Sequence, residues 1–175
     1  MDLPPYGKIT KCSLADLIEY QIAKNGNFKR VDIIVKYMAI ESYIEGEDIG
    51  LSLYRKMYKK LFPRMKDKTI DNRLLRLRKL IELIKKERFD TKMHPLSTTT
   101  KMHIWDGAHR MACAMYFGHD FMYVKRIKKE FKRGSNLGKK RMEKVFDPQE
   151  MSLIEKKQKE VFRKLGIKRS KNERN

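Results

Sequence analysis

The chain has 175 residues, which suits one domain with appendages, and 41% of them are hydrophobic, enough to build a buried core. Lys and Arg number 42 against 22 Asp and Glu, and the net charge of +20 attracts polyanions and nucleotides without indicating a fold. No apolar stretch approaches the ~20 residues of a membrane span, no signal-peptide pattern is present, and two isolated cysteines argue against a disulfide framework. We therefore expect a cytoplasmic protein with no membrane span.

The first 66 residues carry the patterns of three helices. The first begins at Ser13, where Asp16 supplies the acid of a capping box, and the third ends before Pro63. The second has an apolar stripe at helical spacing, formed by Ile33, Tyr37, Ile40 and Ile44. We assign residues 1–66 to a helical N-terminal region.

Residues 67–130 combine helix and strand patterns. A helix is predicted over about residues 69–87, with an inward apolar face formed by Leu74, Leu77, Leu80, Ile81 and Ile84. Its basic residues Arg73, Arg76, Arg78 and Lys79 are expected to lie mostly outward. Residues 93–97, 101–105 and 121–127 are strand candidates, and a helix over about 108–117 lies between the last two. This order predicts a compact α+β core.

Residues 131–175 are predicted to form a linker and a basic C-terminal helix. Glycines indicate a flexible linker at residues 134–138, and Asp147, Pro148 and Glu150 mark a helix start. Residues 125–175 hold 19 Lys and Arg against 7 Asp and Glu. Such a segment favours contact with nucleic acid, an acidic membrane surface or an acidic partner; the alternative is a solvated helix.

The sequence Asp-Gly-Ala-His-Arg at residues 106–110 lies between a predicted strand and a predicted helix. Gly107 permits a turn conformation closed to other residues and lets a ligand approach the backbone. The N–H groups of Ala108, His109 and Arg110 lack intrahelical acceptors and can donate to phosphate oxygens. The Arg110 guanidinium can donate two parallel hydrogen bonds to a phosphate, and His109 can supply a hydrogen-bond donor or a titratable proton. Asp106 holds a metal, orients His109 or accepts a substrate hydroxyl, unless it only caps the helix while Arg110 pairs with a surface acid.

With these flanking elements the chain resembles the ParB/sulfiredoxin superfamily. The resemblance covers about residues 68–128 and rests on Asp106-Gly107, on His109-Arg110 and on the strand before them. It implies a small mixed sheet with helices, preceded here by a helical N-terminal half and followed by a basic helix. Family members bind nucleotides at this turn. Their activities include ATP-dependent sulfinic-acid repair, CTP binding and hydrolysis coupled to DNA clamping, and phosphorylation of free serine.

Residue 108 separates the branches of this superfamily. Sulfiredoxins have their catalytic Cys at the position of Ala108, and alanine cannot act as a nucleophile, so sulfiredoxin chemistry is excluded. Chromosome-segregation ParB proteins have a Gly-Glu-Arg-Arg type of turn, from which Ala108 and His109 depart. The small-molecule kinase branch has Asp-Gly-His-His-Arg, which matches this chain at all positions but Ala108.

The kinase resemblance implies a nucleotide-dependent phosphotransferase that uses ATP, ADP or CTP with Mg²⁺ and acts on a hydroxylated small molecule such as an amino acid, sugar or polyol. Asp106 would assist the acceptor hydroxyl or the metal. The nucleotide would be held by the turn itself, through Gly107, Ala108, His109 and Arg110. The alternative function is a ParB-like nucleic-acid-binding protein that uses residues 125–175.

The kinase branch also has an upstream glutamate as general base. Glu41 is the candidate that we choose, and Glu45 and Glu82 are the alternatives. Arg55 and Arg64 are further candidates to reach the site from the helical half.

Other chemical patterns are weaker. The four histidines match no zinc-ligand spacing, so no metal site is predicted from them. Trp105 stands one residue before the turn and could stack on a base, but core packing at a strand end is the preferred interpretation. The helical spacing of Tyr54, Met57 and Tyr58 favours core packing as well.

Overall fold

The computed structural model of the chain describes residues 3–25, 28–86, 91–130 and 137–167. Within them lie four β-strands and seven α-helices, and the α+β architecture predicted from the sequence is confirmed. No helix in these described ranges is both long and apolar enough to cross a membrane.

The four strands form one mixed sheet in the order β1-β4-β2-β3. They are β1 (Ile9–Ser13), β2 (Leu96–Thr98), β3 (Ile104–Asp106) and β4 (Phe121–Arg126). β4 pairs with β1 in antiparallel and with β2 in parallel orientation, while β2 and β3 are antiparallel and irregular between Ser97 and Thr98. Short strands β2 and β3 therefore lie at one end of the sheet, where β3 leads directly into the turn at residue 107.

The helices pack around one of their number, α2. They are α1 (Leu14–Asn25), α2 (Val31–Glu45), α3 (Ile49–Leu61), α4 (Asp67–Lys85), α5 (Ala108–Tyr116), α6 (Lys139–Met142) and α7 (Pro148–Lys164). Helix α2 contacts α3, α4, α5, α6 and α7, and most of its residues are buried. At Gly50 a Cβ atom would clash with the Met38 carbonyl oxygen, so α3 approaches α2 closely only because residue 50 is a glycine.

Strand β1 was not predicted, and it shows that the first 66 residues are not wholly helical. Its five residues are only partly buried, so they lack the clear apolar alternation by which a strand is recognised. The pairing with β4, from Ile9 opposite Lys125 to Ser13 opposite Phe121, forms the strand. The N-terminal region thus contributes one strand to the sheet of residues 67–130.

Several helix ends follow the local signals in the sequence. The Ser13 hydroxyl accepts the Asp16 N–H at 3.2 Å, and α3 ends at Leu61, two residues before Pro63. Asp147 and Glu150 form a reciprocal capping box at the start of α7, with both bonds at 2.9 Å. The short helix α6 was not predicted, and residues 134–136 of the predicted linker lie outside the described residues.

Candidate functional site

The turn at residues 106–110 connects β3 to α5 through a glycine in the left-handed region. Gly107 has φ 97° and is the N-cap of α5. A Cβ atom there would lie 2.5 Å from Leu96 Cδ2 and 2.9 Å from Arg110 Nη2. The predicted turn conformation is therefore confirmed, but the space next to the Gly107 Cα is filled by two side chains of the protein. Because a glycine cap has no side-chain oxygen, it leaves the first N–H groups of α5 as donors.

Asp106 and Arg110 form an ion pair across the turn. Arg110 Nη2 lies 2.9 Å from Asp106 Oδ2, and Arg110 Nη1 donates to the His94 carbonyl oxygen at 3.2 Å. The Asp106 side chain is 74% exposed, whereas that of Arg110 is 19% exposed. The guanidinium thus ties the turn to the segment before β2, while the carboxylate remains open to solvent.

His109 is hydrogen-bonded to Tyr54 of α3. Its Nε2 atom lies 2.8 Å from the Tyr54 hydroxyl. Burial, followed by the charge of Lys36, lowers the pKa of His109 to about 3. Burial and the neighbouring Tyr58 raise the pKa of Tyr54 above its ordinary value. Both groups are therefore neutral near pH 7, and His109 acts as a hydrogen-bonding group and not as a charged one.

A buried ion cluster lies beneath the turn. The Asp32 carboxylate accepts hydrogen bonds from Arg30 at 2.8 and 2.9 Å and from Lys36 at 2.6 Å, and it is 1% exposed. Arg30 also donates to the Ile104 carbonyl oxygen of β3. Burial alone would raise the pKa of Asp32, but Arg30 and Lys36 more than offset this, and the pKa lies below its usual range. The cluster joins α2 to β3 with one positive charge in excess.

The turn at residues 106–110 and the buried ion cluster line a cleft of about 740 Å³, within the ~300–1,000 Å³ of ordinary ligand pockets. Five basic residues contribute to its wall: Arg30, Lys36, Arg73, Arg76 and Arg110. Two acidic residues, Asp32 and Asp106, offset part of that charge. Among the described residues the Arg73 Nε atom is buried and has no hydrogen-bond partner. The cleft is therefore an electropositive recess that opens on the N-terminus of α5. We call it the α5 cleft.

Aromatic rings form part of the wall of the α5 cleft. The Tyr58 ring stacks on Phe62, with centroids 6.0 Å apart, and it meets the Tyr54 ring in a tilted arrangement at 4.8 Å. Phe62 and Trp105 are 47% and 40% exposed. Tyr54 and Tyr58 are core residues as expected, yet Tyr54 bonds the site histidine. Trp105 lines the cleft and does not pack in the core.

The candidate residues of the motif come together, while the upstream glutamates do not join them. Residues 106–110 all line the α5 cleft. Glu41 instead pairs with Lys157 of α7 at 2.9 Å, and it does not line the cleft. Glu82 lies near Lys85 on α4, and Arg55 pairs with Asp71.

Sequence reasoning missed most of the cleft wall. Arg30 precedes helix α2, and Asp32 and Lys36 lie in its first ten residues, which are otherwise apolar or aromatic. Charged residues in such a segment indicate a buried pair or a site. That signal was available. Arg73 and Arg76 were expected to face outward, and Arg76 is exposed while Arg73 is half-buried. Both also line the cleft, and no local pattern distinguishes them from other basic residues of α4.

Comparisons of this chain with protein-family models, with curated proteins and with solved structures found no significant match. The geometry of the α5 cleft and the resemblance carried by its motif are therefore the basis for a functional proposal.

Proposed function

We propose that the protein binds a nucleotide in the α5 cleft and transfers a phosphoryl group from it to a hydroxylated small molecule. The observation that carries this proposal is the convergence of five basic side chains with the N-terminus of α5. Fixed cations and uncapped backbone N–H groups are the donors that bind phosphate oxygens. The order α4-β2-β3-α5-β4 agrees with the ParB/sulfiredoxin-like fold that we propose for residues 67–130.

The cleft offers separate partners to the parts of a nucleotide. Arg73, Arg76 and Arg110 would hold the phosphates, together with the first N–H groups of α5. Trp105 is exposed at the same cleft and offers a face on which a base can stack. ATP, ADP and CTP share these phosphate contacts, so the proposal extends to all three.

Asp106 is the residue that we assign to the acceptor hydroxyl. Its carboxylate is exposed at the cleft, and Arg110 occupies only one of its oxygens, Oδ2. The other oxygen can accept a hydrogen bond from a substrate hydroxyl and orient that hydroxyl toward the phosphates. His109 is neutral and bonded to Tyr54, so it suits positioning better than proton uptake. Glu41 has no part in the proposal, because Lys157 pairs with it outside the cleft.

Mg²⁺ fits this site as an ion that arrives with the nucleotide. Within the described residues, no group of three or more His, Cys, Asp or Glu side chains could hold a metal ion. Mg²⁺ is often bound through one or two carboxylates together with substrate phosphates, and Asp106 offers one such carboxylate. The ion would neutralise phosphate charge, while the basic side chains of the cleft position the phosphates.

Thermal unfolding with ATP, ADP, CTP and GTP, each with and without Mg²⁺, tests nucleotide binding. A ligand at 100 times its Kd stabilises a protein by about 2.7 kcal/mol, which is about 5–10 °C in Tm at this size. Arg76→Gln should lose the shift, whereas Lys79→Gln, an exposed change on the same helix outside the cleft, should keep it. If none of the four nucleotides raises Tm, the proposal is wrong.

Phosphoryl transfer from labelled nucleotide to a panel of amino acids, sugars and polyols tests the reaction. Asp106→Asn keeps the shape of the side chain, so it should retain the nucleotide-induced Tm shift and lose transfer. Transfer at the wild-type rate in this variant would remove Asp106 from the proposed role.

A further inference from the structure

A second recess lies beside the α5 cleft and has a volume of about 960 Å³. Its basic residues come from three separate parts of the chain: Lys29, Lys60, Lys139, Lys140, Arg141 and Lys144. Among the described residues that line it, Glu143 alone is acidic. We call this recess the α6 groove, because the short helix α6 supplies half of its cations.

Most of these cations have no carboxylate partner. Lys139 pairs with Glu155 at 2.7 Å. Within the part of the chain that the structure describes, Lys60, Lys140, Arg141 and Lys144 form no ion pair. Lys140, Arg141 and Lys144 are also exposed. Their charges are therefore available to an external polyanion and are not used to hold the fold together.

The α6 groove and the α5 cleft share a wall residue at the end of α3. Leu61 lines both recesses, Lys60 lines the groove, and Phe62 lines the cleft. The Phe62 ring is 47% exposed on one side and stacks on Tyr58 on the other, with centroids 6.0 Å apart and an interplanar angle of 24°. An exposed aromatic ring, supported by Tyr58, thus lies next in the chain to Leu61, the residue that lines both recesses.

We propose that the α6 groove binds a single-stranded nucleic acid, with phosphates against its basic residues and a base stacked on Phe62. A basic groove next to an exposed aromatic ring is the combination by which proteins hold single strands without reading sequence. A duplex keeps its bases stacked inside, so it cannot offer one to Phe62. An acidic membrane is a broad surface, whereas these cations line a recess that suits a narrow chain. This proposal stands on other residues than the nucleotide-binding proposal and does not depend on it.

Fluorescence anisotropy of a labelled oligothymidylate of about 12 nucleotides, a length within known single-strand site sizes, tests the groove on the full chain. The groove variant is Lys140→Ala, Arg141→Ala, Lys144→Ala. Its charge-matched control is Lys68→Ala, Lys79→Ala, Lys159→Ala, three exposed residues that line neither recess. Titrations between about 50 and 200 mM salt give the salt dependence of the affinity.

The groove variant should bind roughly tenfold or more weakly. Its slope of log affinity against log salt should fall by about 2, since each phosphate contact on a single strand contributes about 0.7. The control variant should change affinity much less. Equal losses in the two variants would mean that only total charge matters, and the groove would then be rejected.

Phe62→Ala tests the stacking step separately, with Phe121→Ala as its control. Both rings are 47% exposed, but Phe121 lies on β4 and lines neither recess. Phe62→Ala should weaken oligonucleotide binding roughly fivefold or more, and Phe121→Ala should not. A duplex of the same length should bind more weakly than the single strand and be insensitive to Phe62→Ala. If duplex and single strand bind equally and Phe62→Ala changes neither, the single-strand proposal is wrong.

Two further outcomes would overturn the proposal: no oligonucleotide binding at about 50 mM salt, or binding to phosphatidylserine vesicles that the oligonucleotide does not displace. The groove variant should keep the nucleotide-induced Tm shift, and Arg76→Gln should keep oligonucleotide binding. The failure of one proposal is thereby distinguished from the failure of the other.

Discussion

The α5 cleft and the α6 groove are both basic, but they hold their charges differently. In the cleft, Asp32 is 1% exposed between Arg30 and Lys36, and Arg30 extends to the backbone of β3. In the groove, exposed side chains such as Lys140 and Lys144 have no ion-pair partner among the described residues. Charges of the first kind fix the shape of a site, whereas charges of the second kind supply attraction at little cost to the fold. Mutations of the buried cluster in the cleft should therefore lower the stability of the fold. Mutations of the groove cations should lower the affinity for a polyanion and leave stability nearly unchanged.

The largest effect on stability is expected for Asp32→Asn. This change leaves Arg30 and Lys36 buried without a counter-charge, which costs about 3–5 kcal/mol in the free energy of unfolding. Denaturant unfolding measures it. The control is Glu155→Gln, which breaks the exposed pair with Lys139 beside the groove and should cost less than about 1 kcal/mol. Similar losses in both variants would contradict the contrast between the two regions.

Gly107→Ala should come next, at about 2–4 kcal/mol, because it combines backbone strain with a clash against Leu96 and Arg110. Gly118→Ala is the matched control: φ is 72° there, and no atom lies within 4 Å of the added Cβ. The control should cost only the backbone strain, about 1–2 kcal/mol. Unfolding curves of the two variants separate the clash from the backbone strain. Identical losses in the free energy of unfolding would show that the packing around the turn is unimportant.

A pH dependence of about 2 kcal/mol is expected from His109. Its pKa is lowered from 6.5 to about 3 in the folded chain, so between these pH values the unfolded chain binds a proton at His109 that the folded chain does not bind. The stabilisation is complete above pH 6.5 and is lost as pH falls toward 3. Denaturant unfolding at about pH 7 and about pH 5 measures it together with the contribution of His103, whose pKa is also lowered by burial. The window of Asp32 lies lower, below 3.8.

His109→Gln is the control for this dependence. It lowers stability at every pH, since the bond between Tyr54 and His109 is lost, and it should reduce the dependence between about pH 7 and about pH 5 to the part that His103 contributes. If the variant keeps the wild-type slope, His109 is not the group that resists protonation.

The local parts of the site could be predicted from the sequence, and the parts assembled over long distances could not. The turn at residues 106–110 was predictable, because its glycine and the start of α5 are adjacent signals. The bond between Tyr54 and His109 joins residues 55 apart, and that between Arg30 and Ile104 joins residues 74 apart. No periodicity within one helix reveals such contacts.

The missed strand and the unpredicted cleft position of two arginines have related physical reasons. β1 is a partly buried edge strand, and its pairing with β4 determines it more than its own composition does. Arg73 and Arg76 look like solvated charges of an amphipathic helix, and they face a cleft only because α2, α3 and the turn before α5 close around them. In both cases tertiary contacts determine the structure of a segment whose local sequence pattern is ambiguous.

The groove variant should have the smallest effect on stability, although it should have the largest effect on nucleic-acid affinity. The groove variant Lys140→Ala, Arg141→Ala, Lys144→Ala removes exposed charges that form no ion pair within the described residues, so each change should alter the free energy of unfolding by no more than about 0.5 kcal/mol. Lowering a net charge of +20 also reduces self-repulsion, which acts toward a slight gain. Denaturant unfolding should therefore superimpose on that of the wild type. A loss of several kcal/mol would show that these cations support the fold, and the groove would then belong with the buried cluster beneath the turn.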